Sequence, residues 1–186
     1  MSSSDPTTIA STDEVVPVFR RLTWDETWTA AARVVGQRAL CGRAQVGCVV
    51  VDERNRVVAT GYNGPPAGFD HGGRECLAWC ERAQAAAVAG PPEPGGYGTC
   101  PSLHAEANAL LVGDRRDREG GTLYVTAHPC LDCGKLVANS GISRVVVDTG
   151  DAVAPWRDPN TTYDRLVTLG IHVTVDGAWW PRRVDR

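Results

Sequence analysis

Apolar residues recur at helical spacing near the start of the chain, and a strand pattern follows. Thr23 and Glu26 have the spacing of a capping box, which marks the start of a helix. The stretch GCVVVDERNRVVATG has two β-branched runs around a polar turn, which predicts a β-hairpin. The amphipathic helix itself is predicted by apolar residues three or four positions apart: Trp24, Trp28, Ala31 and Val35.

Helical and strand patterns alternate through the second half of the chain. Such alternation is typical of crossover units, which build a mainly parallel part of a sheet. We therefore predict an α/β fold, a three-layer α/β/α sandwich with a mixed five-stranded sheet between helices. The patterns are, in order, HAEANALLVG, GTLYVTA, CLDCGKLVANSG, SRVVVDT, PNTTYDRLVTLG and IHVTV.

Two segments lie outside this alternation. Residues 1–20 are rich in Ser, Thr, Asp and Pro, which predicts a flexible N-terminal tail. Residues 64–103 are dense in Gly and Pro at both ends and contain a helical pattern, RECLAWCERAQAAAVA. A connection of this length inside a compact domain is usually functional. We therefore predict a single domain over 21–186, with an inserted loop at about 64–103.

Composition and charge exclude several classes of protein. The 186 residues are 42% apolar and 22% charged, which is ordinary for a globular domain. A net charge of −3 gives no basic surplus for binding nucleic acid. No apolar run is long enough to cross a membrane, and the N-terminus lacks the features of a secretory signal. We therefore expect a cytoplasmic protein whose seven cysteines are metal ligands or buried thiols rather than disulfides.

A metal site is indicated by residues at the starts of two successive predicted helices. Cys130 and Cys133 are one helical turn apart, so both sulfurs can face one centre. His104 can supply an imidazole nitrogen, and Glu106 lies too close to it in sequence to be a comfortable fourth ligand. Three protein ligands leave the fourth position of a tetrahedral zinc for water, as in catalytic zinc sites. Glu106 is then suited to be the general base.

Each motif alone has an ordinary explanation. A His-x-Glu sequence is common at solvated helix starts, and a Cys-x-x-Cys sequence in an α/β setting can be a redox pair. Together and in this order, HAE and HPCLDC match the zinc deaminase signature His-x-Glu…Pro-Cys-x-x-Cys.

The chain resembles the cytidine/deoxycytidylate deaminase superfamily, and most closely its deoxycytidylate (dCMP) deaminase branch. The matching stretches run from about residue 24 to 175, and the branch is indicated by GYNGPPAG and HAEANAL. The resemblance implies a cytidine deaminase-like fold and hydrolysis of dCMP to dUMP and ammonia with one catalytic Zn²⁺. His104, Cys130 and Cys133 would then bind the zinc, and Glu106 would transfer protons.

The resemblance also suggests residues that bind the substrate. It implies that backbone groups at Ala105 and Pro129 hold the edge of the ring. Asn63 would contact the sugar or the base, or it is a turn residue in left-handed geometry, since Asn-Gly is a common turn pair. Arg43 is our candidate for the phosphate, because arginine binds phosphate through a rigid fork. The arginines of GDRRDREG are an alternative, although such a charge run is usually solvated.

A second, structural zinc near the inserted loop is implied by the resemblance. Cys76 and Cys80 have an alternative explanation as buried apolar thiols, and we predict that Cys48 lies in the core. The candidate ligands are His71, Cys76, Cys80 and Cys100, with Cys41 as a substitute.

The resemblance further implies dCTP and dTTP as effectors and assembly into a homo-oligomer. Two other functions remain open. One is deamination of another or a modified cytosine nucleotide or nucleoside. The other is a catalytically silent relative that binds a nucleotide, against which the presence of Glu106 argues.

Overall fold

The structure is a computed structural model that describes residues 20–41, 44–67, 100–150 and 159–180. The predictions for the tail, for Arg43 and for the helical pattern within 68–99 lie outside the described residues. Within the described ranges, no helix combines the length and the apolar character that crossing a membrane requires.

Helix α1 spans Trp24–Gly36 and begins at the predicted capping box. The Thr23 hydroxyl accepts a hydrogen bond from the Glu26 amide at 3.2 Å. The Glu26 carboxylate in turn accepts one from the Thr23 amide at 2.7 Å. Two amides that the first turn of the helix leaves without a partner are thereby satisfied.

One mixed sheet has the strand order β2-β1-β3-β4-β5-β6. Strand β1 pairs antiparallel with both β2 and β3, whereas β3, β4 and β5 are parallel neighbours. The prediction of a mixed sheet is confirmed, but the predicted count of five strands is wrong. The strands are β1 Gly47–Val51, β2 Val57–Tyr62, β3 Thr122–Val125, β4 Arg144–Val147, β5 His172–Val175 and β6 Ala178–Trp180.

The additional strand, β6, forms a hairpin with β5. Asp176 and Gly177 connect the two strands, and both have positive φ angles, of 46° and 79°. Two such residues in succession are typical of a type I′ turn, whose twist matches that of the flanking strands. The three residues of β6 are too few to show an alternating pattern, so alternation along the sequence predicts only five strands.

Helices cover both faces of the sheet, which confirms the three-layer arrangement. On one face, α1 packs through Ala32 against β1, β3 and β4. On the other face, three helices pack against the buried residues of the sheet, through Ala105, Val137 and Leu166. The remaining helices in the described residues are α2 Ala105–Leu111, α3 Arg115–Arg118, α4 Leu131–Ala138 and α5 Asn160–Thr168.

Close contact between α2 and β2 depends on Gly61. A Cβ atom at this position would overlap the carbonyl oxygen of Ala105 and come within 2.5 Å of the amide nitrogen of Ala109. The missing side chain therefore lets the backbone of α2 lie directly on the strand. This contact fixes the first turn of α2, which carries Glu106, against the sheet.

Candidate active site

Three metal-binding side chains meet where two helices begin. His104 is the N-cap of α2, Cys130 is the N-cap of α4, and Cys133 lies in the first turn of α4. The Nδ1 atom of His104 lies 3.4 Å from the Sγ atom of Cys130 and 3.4 Å from that of Cys133. The structure thus brings together all three residues that the sequence predicts as ligands.

The geometry of this cluster fits zinc. Bonds of about 2.0–2.1 Å to nitrogen and about 2.3 Å to sulfur, at tetrahedral angles, place the two ligand atoms roughly 3.5 Å apart. The observed distances of 3.4 Å match this value. One imidazole and two thiolates are also a donor set that zinc prefers. Across the described part of the chain, this is the one group of three or more His, Cys, Asp or Glu residues arranged to hold a metal.

The surroundings of Cys130 favour its thiolate. Hydrogen bonding from Cys133 is the largest effect and, together with that from His104, lowers the pKa of Cys130 to about 3, although burial opposes the shift. The backbone amide of Cys133 also donates to the Cys130 sulfur at 3.4 Å. The thiolate is the form that binds metal, so this sulfur is ready to bind near neutral pH.

Glu106 lies in the first turn of α2, two residues after His104, and its side chain is only 2% exposed. The fully buried thiol of Cys48 is close enough to feel its charge. Burial raises the pKa of Cys48 well above its ordinary value, and the negative charge of Glu106 raises it further. Cys48 therefore stays neutral, and its burial confirms the prediction that it belongs to the core.

Other predicted site residues lie around the cluster or outside the described residues. Ala105 and Pro129 are buried directly beside His104 and Cys130 in the chain. Cys100 and Cys41 are half-buried and do not belong to the three-residue cluster. The other proposed ligands of a second zinc, His71, Cys76 and Cys80, lie outside the described residues, as does Arg43.

The arginines of α3 interact with their own neighbourhood. Arg115 pairs with Glu119 at 3.1 Å, and Arg116 pairs with Asp114 at 2.9 Å, all four side chains being well exposed. Arg118 donates to backbone carbonyl groups. These contacts fit a solvated charge run better than a phosphate site.

The side chain of Asn63 holds the segment that leads into β1. Its Oδ1 atom accepts a hydrogen bond from the Val46 amide at 2.7 Å, and its Nδ2 atom donates to the Ala44 carbonyl at 2.9 Å. Asn63 does not have the left-handed geometry expected of a turn residue, which Asn55 and Asp176 adopt instead. One N–H and one lone pair of the amide remain available, so a contact with substrate stays a prediction.

We expect Asn63→Asp to destabilise the protein by about 1–3 kcal/mol, the usual effect of leaving buried polar groups unsatisfied. The carboxylate would face the Ala44 carbonyl with an acceptor where the amide now donates. Urea unfolding measures the change. Asn55→Asp is the matched control, because a turn residue with φ of 60° tolerates aspartate. Similar losses in the two variants would show that Asn63 does not hold this segment.

Two further contacts near the site were not anticipated from the sequence. Asn108 donates from Nδ2 to the Tyr62 carbonyl at 2.8 Å, which ties α2 to the end of β2. His128 contacts Tyr163, 35 positions away in the sequence. The motif HAEANAL contains Asn108 and could have indicated a role for it, whereas no sequence pattern joins His128 to Tyr163.

The sequence also matches the model of a known protein family. The model for the cytidine and deoxycytidylate deaminase zinc-binding region matches residues 22–149. The chain belongs to this family. Zn²⁺ is therefore the metal that the cluster of His104, Cys130 and Cys133 is built to hold.

Relatives in this family include deoxycytidylate deaminases from phage, yeast and human. The chain is 48% identical over 124 residues to that of Mycobacterium phage D29, covering 66% of this chain and 92% of the phage protein. It is 38% identical over 133 residues to that of Schizosaccharomyces pombe, covering 69% of this chain and 38% of the yeast protein. The chain is 33% identical over 125 residues to the Homo sapiens protein, covering 67% of this chain and 64% of the human protein.

A solved structure of the family has the same fold. It is the dCMP deaminase from the cyanophage S-TIM5 in complex with dCMP and dUMP, with a TM-score of 0.57 and 28% sequence identity. The match covers 81% of this chain and 94% of the cyanophage chain. The family's fold therefore extends beyond the residues that the family model matches.

Proposed function

We propose that this protein is a zinc-dependent deaminase that converts dCMP to dUMP and ammonia. The observation that carries the proposal is the geometry of the site. The sulfur atoms of Cys130 and Cys133 lie 3.4 Å from the imidazole nitrogen of His104, and Glu106, two residues after His104 on α2, is only 2% exposed. The substrate is supported by the similarity to the D29 deoxycytidylate deaminase and to the cyanophage enzyme that was crystallised with dCMP and dUMP.

Glu106 transfers the protons in this proposal. Zinc, when bound, lowers the pKa of a coordinated water to about 7 and so provides a nucleophile near neutral pH. Glu106 accepts a proton from the attacking water and delivers it to N3 of the ring, while the water oxygen bonds to C4. Glu106 next takes the remaining proton from the oxygen that is now bonded to C4 and gives it to N4. The C4–N4 bond then breaks, the C4 carbonyl forms, and ammonia leaves. The reaction consumes dCMP and one water and yields dUMP and ammonia.

The burial of Glu106 serves this chemistry in two ways. A carboxylate with 2% exposure has little access to bulk water, so its proton passes to the bound ring rather than to solvent. Its place in the first turn of α2, on the same helix as the N-cap His104, also keeps it beside the metal. We propose that backbone groups of Ala105 and Pro129 hold the edge of the ring within hydrogen-bonding distance of Glu106.

Recognition of the nucleotide is assigned to Asn63 and Arg43. Asn63 retains hydrogen-bonding capacity toward a sugar or a base. Its contact with the Ala44 carbonyl also anchors the residue that follows Arg43 in the sequence. A guanidinium group there would distinguish dCMP from the nucleoside through the phosphate.

A substrate panel tests the proposed function. We expect dCMP to give the highest kcat/KM among dCMP, dCTP, 5-substituted dCMP, deoxycytidine, cytidine and cytosine, measured by release of ammonia and the uracil product. In the same panel, Arg43→Ala should raise the KM for dCMP about 10- to 100-fold, as expected for loss of a charge-assisted hydrogen bond. The KM for deoxycytidine should not change. In the control Arg54→Ala, on the exposed hairpin turn, the KM should stay the same for every substrate.

Each alternative function predicts a different result in this substrate panel. A modified or different cytosine compound as the best substrate would replace dCMP in the proposal. Absence of turnover for every compound, in protein that holds its zinc, would favour the catalytically silent relative. Equal effects of Arg43→Ala on dCMP and deoxycytidine would remove Arg43 from the phosphate site.

We also propose a homo-oligomer in the cytoplasm, with dCTP and dTTP as effectors. A groove of about 540 Å³ beside the edge strand β2 is lined in part by the exposed side chains of Leu40, Tyr62 and Val112, which supports an apolar contact between copies. The thiolate ligands Cys130 and Cys133 fit a reducing compartment. The resemblance of GYNGPPAG to the branch supports the effectors.

A further inference from the structure

A buried polar pair lies next to the metal site and has no part in the proposed chemistry. His128 is 9% exposed and lies in the loop between β3 and α4, whereas Tyr163 is 1% exposed and lies on α5. The Nδ1 atom of His128 and the Tyr163 hydroxyl are 2.5 Å apart, and their rings meet edge to face with centroids 5.9 Å apart. Because both side chains are buried, this hydrogen bond is protected from water.

The loop that contains His128 also contains a metal ligand. Pro129 alone separates His128 from Cys130. At its other end, the loop is held by Thr126, whose amide donates to the Gly47 carbonyl at 3.1 Å and whose hydroxyl accepts from the Gly47 amide at 3.0 Å. The loop is therefore attached to β1 at its start and to α5 at His128, two residues before the ligand Cys130.

Tyr163 is itself held firmly in place. Its ring packs against Trp180 of β6, with centroids 5.2 Å apart, and the Trp180 indole donates to the Asp164 carboxylate at 3.1 Å. The backbone of α4 at Gly134 lies close to α5, because a Cβ atom on Gly134 would come within 2.7 Å of the Thr162 methyl group. The hydroxyl of Tyr163 therefore has a fixed position relative to α4, the helix of Cys130 and Cys133.

We propose that Tyr163 is a positioning residue for the zinc centre, which acts through His128 on the loop that presents Cys130. The last helix and the last strand that the structure describes thereby contribute to the geometry of a metal site built from other elements. The proposal rests on the zinc site and not on the identity of the substrate.

Removing the hydroxyl would free one end of this connection. The Nδ1 atom of His128 would lose a buried partner, and the loop could then move to satisfy it elsewhere. Groups beyond the ligands themselves commonly change metal affinity by about 10- to 100-fold when they are removed, because they orient the ligands. Tyr163→Phe removes only the hydroxyl and keeps the ring that packs against Trp180.

The test compares the release of zinc from two variants of the zinc-loaded protein. We expect Tyr163→Phe to lower zinc affinity about 10-fold, measured by transfer of the metal to a chromophoric chelator. Tyr124→Phe is the matched control. Tyr124 is also 1% exposed, and its hydroxyl donates to Asp25 at 2.9 Å on the opposite face of the sheet. The control should lose a comparable hydrogen bond without any change in zinc affinity.

A double-mutant cycle provides the second measurement. If Tyr163 acts through His128, then His128→Leu and Tyr163→Phe together should weaken zinc no more than His128→Leu alone. Additive effects, or equal zinc affinity in Tyr163→Phe and Tyr124→Phe, would overturn the proposal. Since zinc transfer is measured without substrate, a failure here is distinct from a failure of the substrate panel.

Discussion

Replacing Glu106 by Gln is expected to lower kcat for dCMP by about 10³- to 10⁴-fold while zinc stays bound. General acid–base catalysis typically raises the rate of a reaction by about 10²- to 10⁴-fold. We expect the upper part of this range because one carboxylate transfers every proton of the proposed reaction. Gln has nearly the same shape, so the side chain, which is 2% exposed, should still fit its site. Formation of dUMP measures kcat, and atomic absorption measures zinc in the same samples.

Glu119→Gln is the matched control for this prediction. Glu119 is exposed and pairs with Arg115 at the surface, so neither kcat nor zinc content should change. If Glu106→Gln kept a tenth or more of the wild-type kcat with zinc in place, another group would have to transfer the protons.

Cys133→Ala is expected to abolish deamination and to remove one zinc per chain relative to the wild type. Only His104 and Cys130 would remain at the site, and two protein ligands hold zinc far more weakly than three. Comparing zinc per chain with the wild type keeps the result clear even if a second, structural zinc is present. Metal analysis after dialysis against a chelator gives the stoichiometry, and the dCMP assay gives the activity.

Cys48→Ala is the control for the loss of a cysteine. Cys48 is as buried as Cys133 but lies on β1, outside the metal-binding cluster. This variant should keep its zinc and lose only about 1 kcal/mol of stability from the small cavity. Full zinc content and activity in Cys133→Ala would contradict the assignment of the site.

Local patterns were sufficient to predict much of the site. The first turn of a helix fixes Cys130 and Cys133 relative to one another, so their spacing alone indicated two sulfurs facing one centre. The capping box of Thr23 and Glu26 likewise marked the start of α1, because both partners lie within one turn. Interactions of this kind depend on three or four consecutive residues and are therefore visible in a sequence.

Contacts between distant segments could not be predicted in the same way. The hydrogen bond between His128 and Tyr163 depends on how α5 packs against α4, and the use of the Asn63 amide depends on the position of the Ala44 carbonyl. Neither requires a particular spacing along the chain. Strand β6 is different, because an Asp-Gly pair between two apolar runs is a recognised hairpin signal, and Asp176–Gly177 could have revealed it.

An anomalous difference map at the zinc absorption edge, from crystals of the purified protein, tests the central claim most directly. We expect a peak about 2.0–2.4 Å from the Nδ1 atom of His104 and the sulfur atoms of Cys130 and Cys133, with no fourth protein ligand. The account would be contradicted if the protein deaminates dCMP but shows no peak there. It would also be contradicted if four protein ligands surround the peak.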